Sequence, residues 1–303
     1  MTLVAFNDLM GHAAQDNYAV GYFECWNLES MMAVVDAAVA TRSPVLLGFS
    51  GIYLPHPARV RTEPASIYAL QGLELCRQVS VPAGLVFNES PYLDQVLQAI
   101  MDGYGLVMFS REDITLDEQI EIIQQVVSTA HALGCAVEGE AMALLGVGGD
   151  LQKIPEKPPM THPDTACKFI DQTGVDAFAV NIGQLHLHGR RKVRLDLELL
   201  SALNEAIDIP LVLHGASSVH DDDIKQSLEY GIRKINVGSI LKQTVFEATK
   251  TAISNTPDIY NPYEVLGSGF NNDILMAGRI ALQEKVEHLM ILFGSAGKAD
   301  SFI

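Results

Sequence analysis

Two histidines have settings that suggest chemistry. His186 closes the run AVNIGQLH and His214 the run PLVLHG, each after a short apolar stretch in the second half of the chain. Where strands and helices alternate, such positions fall at the end of the fold where strands empty, so imidazoles from different strands can converge on one metal ion. Taken singly, either histidine reads as a buried or loop residue satisfied by hydrogen bonds. Its company argues for a site. Polar groups recur at the ends of the other apolar runs: Glu24, Ser50, Asn88 with Glu89, Glu138 with Glu140, and Asn236. Small residues surround the last two, in His214-Gly215-Ala216-Ser217 and Asn236-Val237-Gly238-Ser239, where backbone N–H groups can approach an anion.

Those residues need elements to hold them. Runs rich in Val, Ile, Leu and Phe occur at Ala19–Phe23, Pro44–Phe49, Ala83–Asn88, Gly105–Phe109, Cys135–Glu140, Ala177–Ile182, Pro210–His214 and Lys234–Val237. Their continuous hydrophobicity predicts parallel strands buried on both faces, and Ser30–Ala40, Asp117–Leu133 and Asp221–Glu229 carry helical patterning between them. Eight such units in about 250 residues predict an α/β fold of the (β/α)8 TIM-barrel type, whose loops after the seventh and eighth strands habitually bind phosphate. An open doubly wound sheet would need a glycine-rich turn after the first strand, and none is present.

The stretch Ala141–His162, with Gly146, Gly148, Gly149, Pro155, Pro158 and Pro159, is long and broken for a strand-to-helix connection and predicts a mobile active-site loop. After Val237 the pattern gives a helix, a connection around Pro257–Gly269, and a helix from about Ile274 to Leu292. A single domain over residues 1–303 is expected, with a C-terminal helical tail of the kind that builds contacts in a homo-oligomer.

Composition narrows the partners. With 20 basic and 37 acidic residues among 303, the net charge of −17 opposes binding to nucleic-acid backbones or anionic membranes. An anionic metabolite remains compatible, because a bound cation and backbone N–H groups make a local site positive. No segment approaches the roughly 20 apolar residues that span a bilayer. The start, MTLVAFNDLMGHAAQDN, lacks a basic signal-peptide region, and Cys25, Cys76, Cys135 and Cys167 are too scattered for a zinc knuckle or a disulfide framework. A cytoplasmic setting is expected.

The motifs YAVGYFECWNLES, RSPVLL, AVEGE, AVNIGQLH, PLVLHGAS, KINVGS and FGSAGKA run over nearly the whole chain. Together they resemble the class II, metal-dependent ketose-bisphosphate aldolases, with LHGAS followed by KINVGS the most specific pair. The resemblance implies that His186 and His214 bind zinc, that Gly215, Ser217, Asn236 and Ser239 contact substrate and phosphate with Gly238 between them, and that Ser50 meets the substrate's carbonyl end. It places Glu140 near a mobile metal position. It implies a Lewis-acid metal that polarises a ketose carbonyl and stabilises the enediolate left when a carbon–carbon bond breaks, while a carboxyl group moves a proton.

The third strand departs from that family. A His-Leu-Asp-His run is usual there, with the Asp as proton donor and the last His as third ligand; this chain reads Val86-Phe87-Asn88-Glu89. Glu89 can still coordinate, since two histidines and a carboxylate form an open catalytic zinc set that also suits Fe2+ or Mn2+. His188 is an alternative third ligand. Asn88 can orient a substrate hydroxyl but has no proton to donate and retrieve as a carboxyl group does. Glu24 stands where the family commonly has Asn, and Phe109 where it has Asp, so the proton role is expected to pass to Glu24, Glu138 or Glu140. Leu187 replaces a glycine, followed by His188-Gly189-Arg190-Arg191-Lys192, either restored positive charge or a solvated loop. Trp26 and Tyr22 suit either sugar stacking or core packing, and His12, His56, His131, His162 and His220 lack a comparable setting. The expected activity is cleavage of a phosphorylated ketose or keto-acid sugar; an epimerase using the same enediolate and an inactive sugar-phosphate-binding homologue are the alternatives.

Overall fold

The apolar runs form strands and the intervals between them form helices. A computed structural model describes residues 2–144, 159–185 and 191–302. The order is α1 (Phe6–Gln15), β1 (Val20–Glu24), α2 (Leu28–Thr41), β2 (Val45–Ser50), α3 (Ala65–Gln78), β3 (Ala83–Ser90), α4 (Leu93–Met101), β4 (Leu106–Phe109), α5 (Leu116–Ala132) and β5 (Ala136–Gly139). It continues with α6 (Pro163–Thr173), β6 (Ala177–Ala179), α7 (Leu197–Ala206), β7 (Leu211–Leu213), α8 (Asp221–Leu228), β8 (Ile232–Val237), α9 (Ser239–Asn255), α10 (Pro262–Val265) and α11 (Ile274–Leu292). Among the described residues eight parallel strands pair in chain order and β1 closes on β8, giving the (β/α)8 barrel. Most of the stretch 141–162 lies outside the described residues, as do 186–190.

Strand parity sorts the core into two layers. Successive side chains alternate across a strand, and Tyr22, Leu46, Val86, Met108, Ala136, Ala179 and Val212 form one buried cluster, while Phe23, Leu47, Phe87, Phe109, Val137, Phe178 and Leu213 belong to another. The first cluster contains Phe6, Leu9, Met10 and Ala13 of α1, which therefore packs into one end of the barrel interior. The second lies under the outer helices. On β2, Gly48 is required by close approach: a Cβ there would fall 1.9 Å from the Val86 carbonyl oxygen.

Helix starts follow local chemistry. Asn27 caps α2 by accepting from the Ser30 N–H while the Ser30 hydroxyl accepts from the Asn27 N–H, and Thr115 with Glu118 does the same for α5. The strand β6 is shorter than its apolar run because side chains take over the ladder: the Asn181 N–H donates to Thr161 Oγ1 at 2.8 Å and the Ile182 N–H to Gln184 Oε1 at 2.8 Å. The C-terminal helix α11 packs across α2 and α9.

Candidate active site

The barrel-interior parity, carried one or two steps past the buried cluster, reaches Glu24, Ser50, Asn88, Ser110, Glu140, His214 and Asn236 at one mouth. A cavity of about 640 Å³ opens there, lined by Glu24, Ser50, Asn88, Glu89, His214, Gly215, Ser217, Asn236, Gly238 and Ser239. Ten of the residues singled out from the sequence are thus brought together. Glu140 is buried behind this wall, and His186 lies outside the described residues. Phe109 proves to be on the other face: it belongs to the outer cluster, and the residue that continues β4 into the mouth is Ser110, whose hydroxyl donates to Glu140 Oε1 at 2.6 Å.

Glu89 reaches the mouth against its parity. By alternation it should face outward with Phe87. Instead β3 carries one extra residue relative to β4, with Phe87 opposite Val107 but Ser90 opposite Phe109, and Glu89 adopts a left-handed backbone with φ of 50°. A bulge re-aims a side chain in this way, and a positive φ at a residue with a Cβ costs about 1–2 kcal/mol. Backbone strain of this kind clusters at functional sites.

His214 is held from both sides. Its Nδ1 lies 2.8 Å from Glu89 Oε1, and its Nε2 lies 2.6 Å from Glu138 Oε1. Glu138 in turn accepts from Lys234 Nζ at 2.7 Å, and Lys234 also donates to Asn236 Oδ1 at 2.5 Å, fixing the orientation of that amide. The Asn236 Nδ2 group points to Asn88 Oδ1 at 3.3 Å. Lys234 and Glu138 are fully buried. Burial would drive Glu138 toward its neutral form, but Lys234 and His214 outweigh it and hold the carboxyl below its ordinary range. Burial lowers Lys234, with Glu138 opposing. For His214 burial favours the neutral ring, yet its two carboxylate partners prevail and raise it to about 10.

Metal binding suits this donor set. The Nδ1 of His214 and a Glu89 carboxylate oxygen lie side by side at the cavity wall, where the shared proton marks a place for positive charge. Behind them Glu138 accepts from Nε2, the carboxylate–histidine arrangement that fixes tautomer and ring orientation in metal sites. Among the described residues no third ligand joins these two, and the third expected imidazole, His186, is outside them.

Lys234 and Lys242 escaped the sequence reading. A lysine in the middle of a strand buried on both faces was the available signal for Lys234, and its spacing from Asn236 puts both on one face. Lys242, in the first turn of α9, pairs with Glu24. Its Nζ lies 4.8 Å from the Tyr53 ring centroid and 5.6 Å from that of Trp26. His56, which lacks a strand-end setting in the sequence, lines the cavity too. Burial raises the Glu24 carboxyl, and Lys242 partly offsets this. Glu140 is raised to about 8, burial outweighing the pull of His214 and the Ser110 hydroxyl.

A closed parallel barrel with an imidazole, carboxylates and glycine-flanked backbone gathered at its mouth has the form of a barrel enzyme's active site. The chain matches the class II fructose-bisphosphate aldolase family over residues 4–298 and belongs to it. Among solved structures, the YdjI aldolase of Escherichia coli K12 is 26% identical, with 98% of this chain and 99% of that one covered and a TM-score of 0.78. The fructose-bisphosphate aldolase of Campylobacter jejuni shares the fold, at 20% identity, coverage of 98% and 96%, and a TM-score of 0.75. The chain is thus a carbon–carbon lyase of the metal-dependent, sugar-phosphate type.

Proposed function

We propose that this aldolase cleaves a phosphorylated ketose, or a keto-acid sugar, with a divalent cation held by His214, Glu89 and His186. The observation that carries the reading is the pairing of His214 Nδ1 with Glu89 across the cavity wall, backed by the buried Glu138–Lys234 pair. Zn2+ fits a set of two imidazoles and a carboxylate, and Fe2+ or Mn2+ fits it also. When bound, the cation supplies Lewis-acid stabilisation of the negative charge that develops on the substrate's carbonyl oxygen.

The remaining work falls to the chain's own groups. Glu138 and Lys234 are positioning residues that hold the His214 ring. Asn88 and Asn236, joined through their amides, orient substrate hydroxyls, and Ser50 donates at the carbonyl end. Gly215, Ser217 and Ser239 receive the phosphate on backbone and hydroxyl donors. Glu140 carries the proton: in cleavage its carboxylate takes the proton of the hydroxyl beside the breaking bond, and in the reverse direction its carboxyl, which burial raises to about 8, returns it. The four cysteines are free thiols, consistent with a reducing cytoplasm. Exposed Ile259, Tyr263 and Phe270 between α9 and α11 favour a homo-oligomer built through the C-terminal tail. Among the described residues no helix is long and apolar enough to cross a membrane.

Incubation of zinc-loaded protein with ketose phosphates and keto-acid sugars, followed by mass spectrometry, tests the reading. Two shorter fragments are expected from at least one substrate, with activity lost to a chelator and restored by metal. A change of stereochemistry at constant mass would make the protein an epimerase instead.

A further inference from the structure

The cavity has a second end, formed by Glu24, Lys242, Trp26 and Tyr53, that the chemistry above does not use. We propose that Glu24, braced by Lys242, reads hydroxyl groups on an uncharged, polyhydroxylated portion of the substrate and keeps a second phosphate out of this end. The inference rests on the aldolase reading for the identity of that portion as the aldehyde half.

Placement and charge carry it. Glu24 is the last residue of β1, and its Oε2 occupies the space above Gly238 that a side chain there would fill, 2.4 Å from the position of a Cβ. Lys242 is committed to Glu24 and to the faces of Tyr53 and Trp26. The other cation lining this end, Arg59, is committed as well: its guanidinium donates to Glu63 at 2.5 Å and to the Leu54 and Arg61 carbonyls at 3.1 and 3.0 Å. A second phosphate at this end therefore meets the Glu24 carboxylate and no uncommitted guanidinium or ammonium among the described residues.

The same groups suit a polyol. A carboxylate accepts from adjacent hydroxyls, and the aromatic faces of Trp26 and Tyr53 pack against C–H surfaces. Tyr22, two residues before Glu24 and so on the same strand face, also lines the cavity, and its buried hydroxyl has no hydrogen-bond partner among the described residues. A substrate hydroxyl satisfies it.

Trp26 is the single tryptophan of the chain and sits beside Lys242, so its fluorescence reports this end directly. Metal-free protein in saturating inorganic phosphate, which fills the site at Gly215 and Ser217, should be titrated with D-erythrose and with erythrose 4-phosphate, which share a carbon skeleton and differ by the phosphate. The wild type should respond to erythrose at a concentration at least tenfold below that needed for the phosphate. Glu24→Gln, which keeps shape and removes charge, should erase the preference by gaining affinity for erythrose 4-phosphate. Equal response of the wild type to both probes, or no gain in Glu24→Gln, overturns the proposal, and the wild-type comparison stands even if the variant does not fold. Because no turnover is involved, a protein that shows the preference but cleaves no ketose phosphate loses the aldolase reading alone.

Discussion

At the residue scale, His214 is the hinge between two charge systems. Toward the cavity it meets Glu89, and toward the core it meets Glu138, which Lys234 neutralises. The two sides should separate experimentally. His214→Ala and Glu89→Gln should each lower bound metal at least tenfold, as measured by elemental analysis of the folded variant. Full occupancy in either would remove that residue from the ligand set. Lys234→Met strands a buried carboxylate and should destabilise the fold by about 3–5 kcal/mol, because an uncompensated interior charge is costly. Adding Glu138→Gln should recover much of that loss in denaturant titrations. If the double variant is no more stable than Lys234→Met, the two residues are not coupled as described.

At the element scale, the barrel depends on what fills its interior away from the mouth. The helix α1 puts Phe6, Leu9 and Met10 among the inward residues of the strands, and Leu9 is fully buried against the Gly84 region of β3. Leu9→Ala should therefore cost about 2–5 kcal/mol, in the range of large-to-small core changes, read from the shift in the unfolding midpoint. A loss below about 1 kcal/mol would mean that α1 is a detachable cap. The bulge in β3 is the complementary device. It spends local strain to bring Asn88 and Glu89 to the same mouth, although the two are neighbours in sequence and a regular strand would separate them.

At the scale of the whole molecule, pH should act through the buried carboxyl of Glu140. Its pKa rises from an ordinary 4.5 to about 8 on folding, so the folded chain holds this proton more tightly than the unfolded one. That contribution to stability is complete below about 4.5 and is lost as pH rises through 8. In Glu140→Gln the midpoint of thermal unfolding, measured with chelator present, should fall less between pH 6 and 9 than in the wild type. An identical slope would remove Glu140 from the set of groups that bury a proton. Cleavage should fall in the same variant, since an amide cannot take up the hydroxyl proton and return it. Sedimentation should show more than one chain per particle if Ile259, Tyr263 and Phe270 are covered; a monomer at micromolar concentration would place those apolar groups in water.

The amino-acid sequence by itself determined the barrel, because buried parallel strands require continuous apolar runs and the helices between them require amphipathic spacing. It also located most of the mouth, since polar residues that end such runs can satisfy their hydrogen bonds only where the barrel opens. Ser50, Asn88, His214 and Asn236 were legible for that reason. Tertiary structure decided what depends on contacts between distant strands. The Lys234–Glu138–His214 chain joins β8, β5 and β7, and no local pattern specifies which carboxylate a buried lysine will meet. Parity also settled Phe109 and Ser110, a one-residue difference that flips a side chain to the opposite face. Glu89 required a bulge set by pairing with β4, and Glu24 acquired its setting from a lysine 218 positions away. Side-chain partners across that separation are fixed by closure of the barrel, which the order of residues along one strand does not encode.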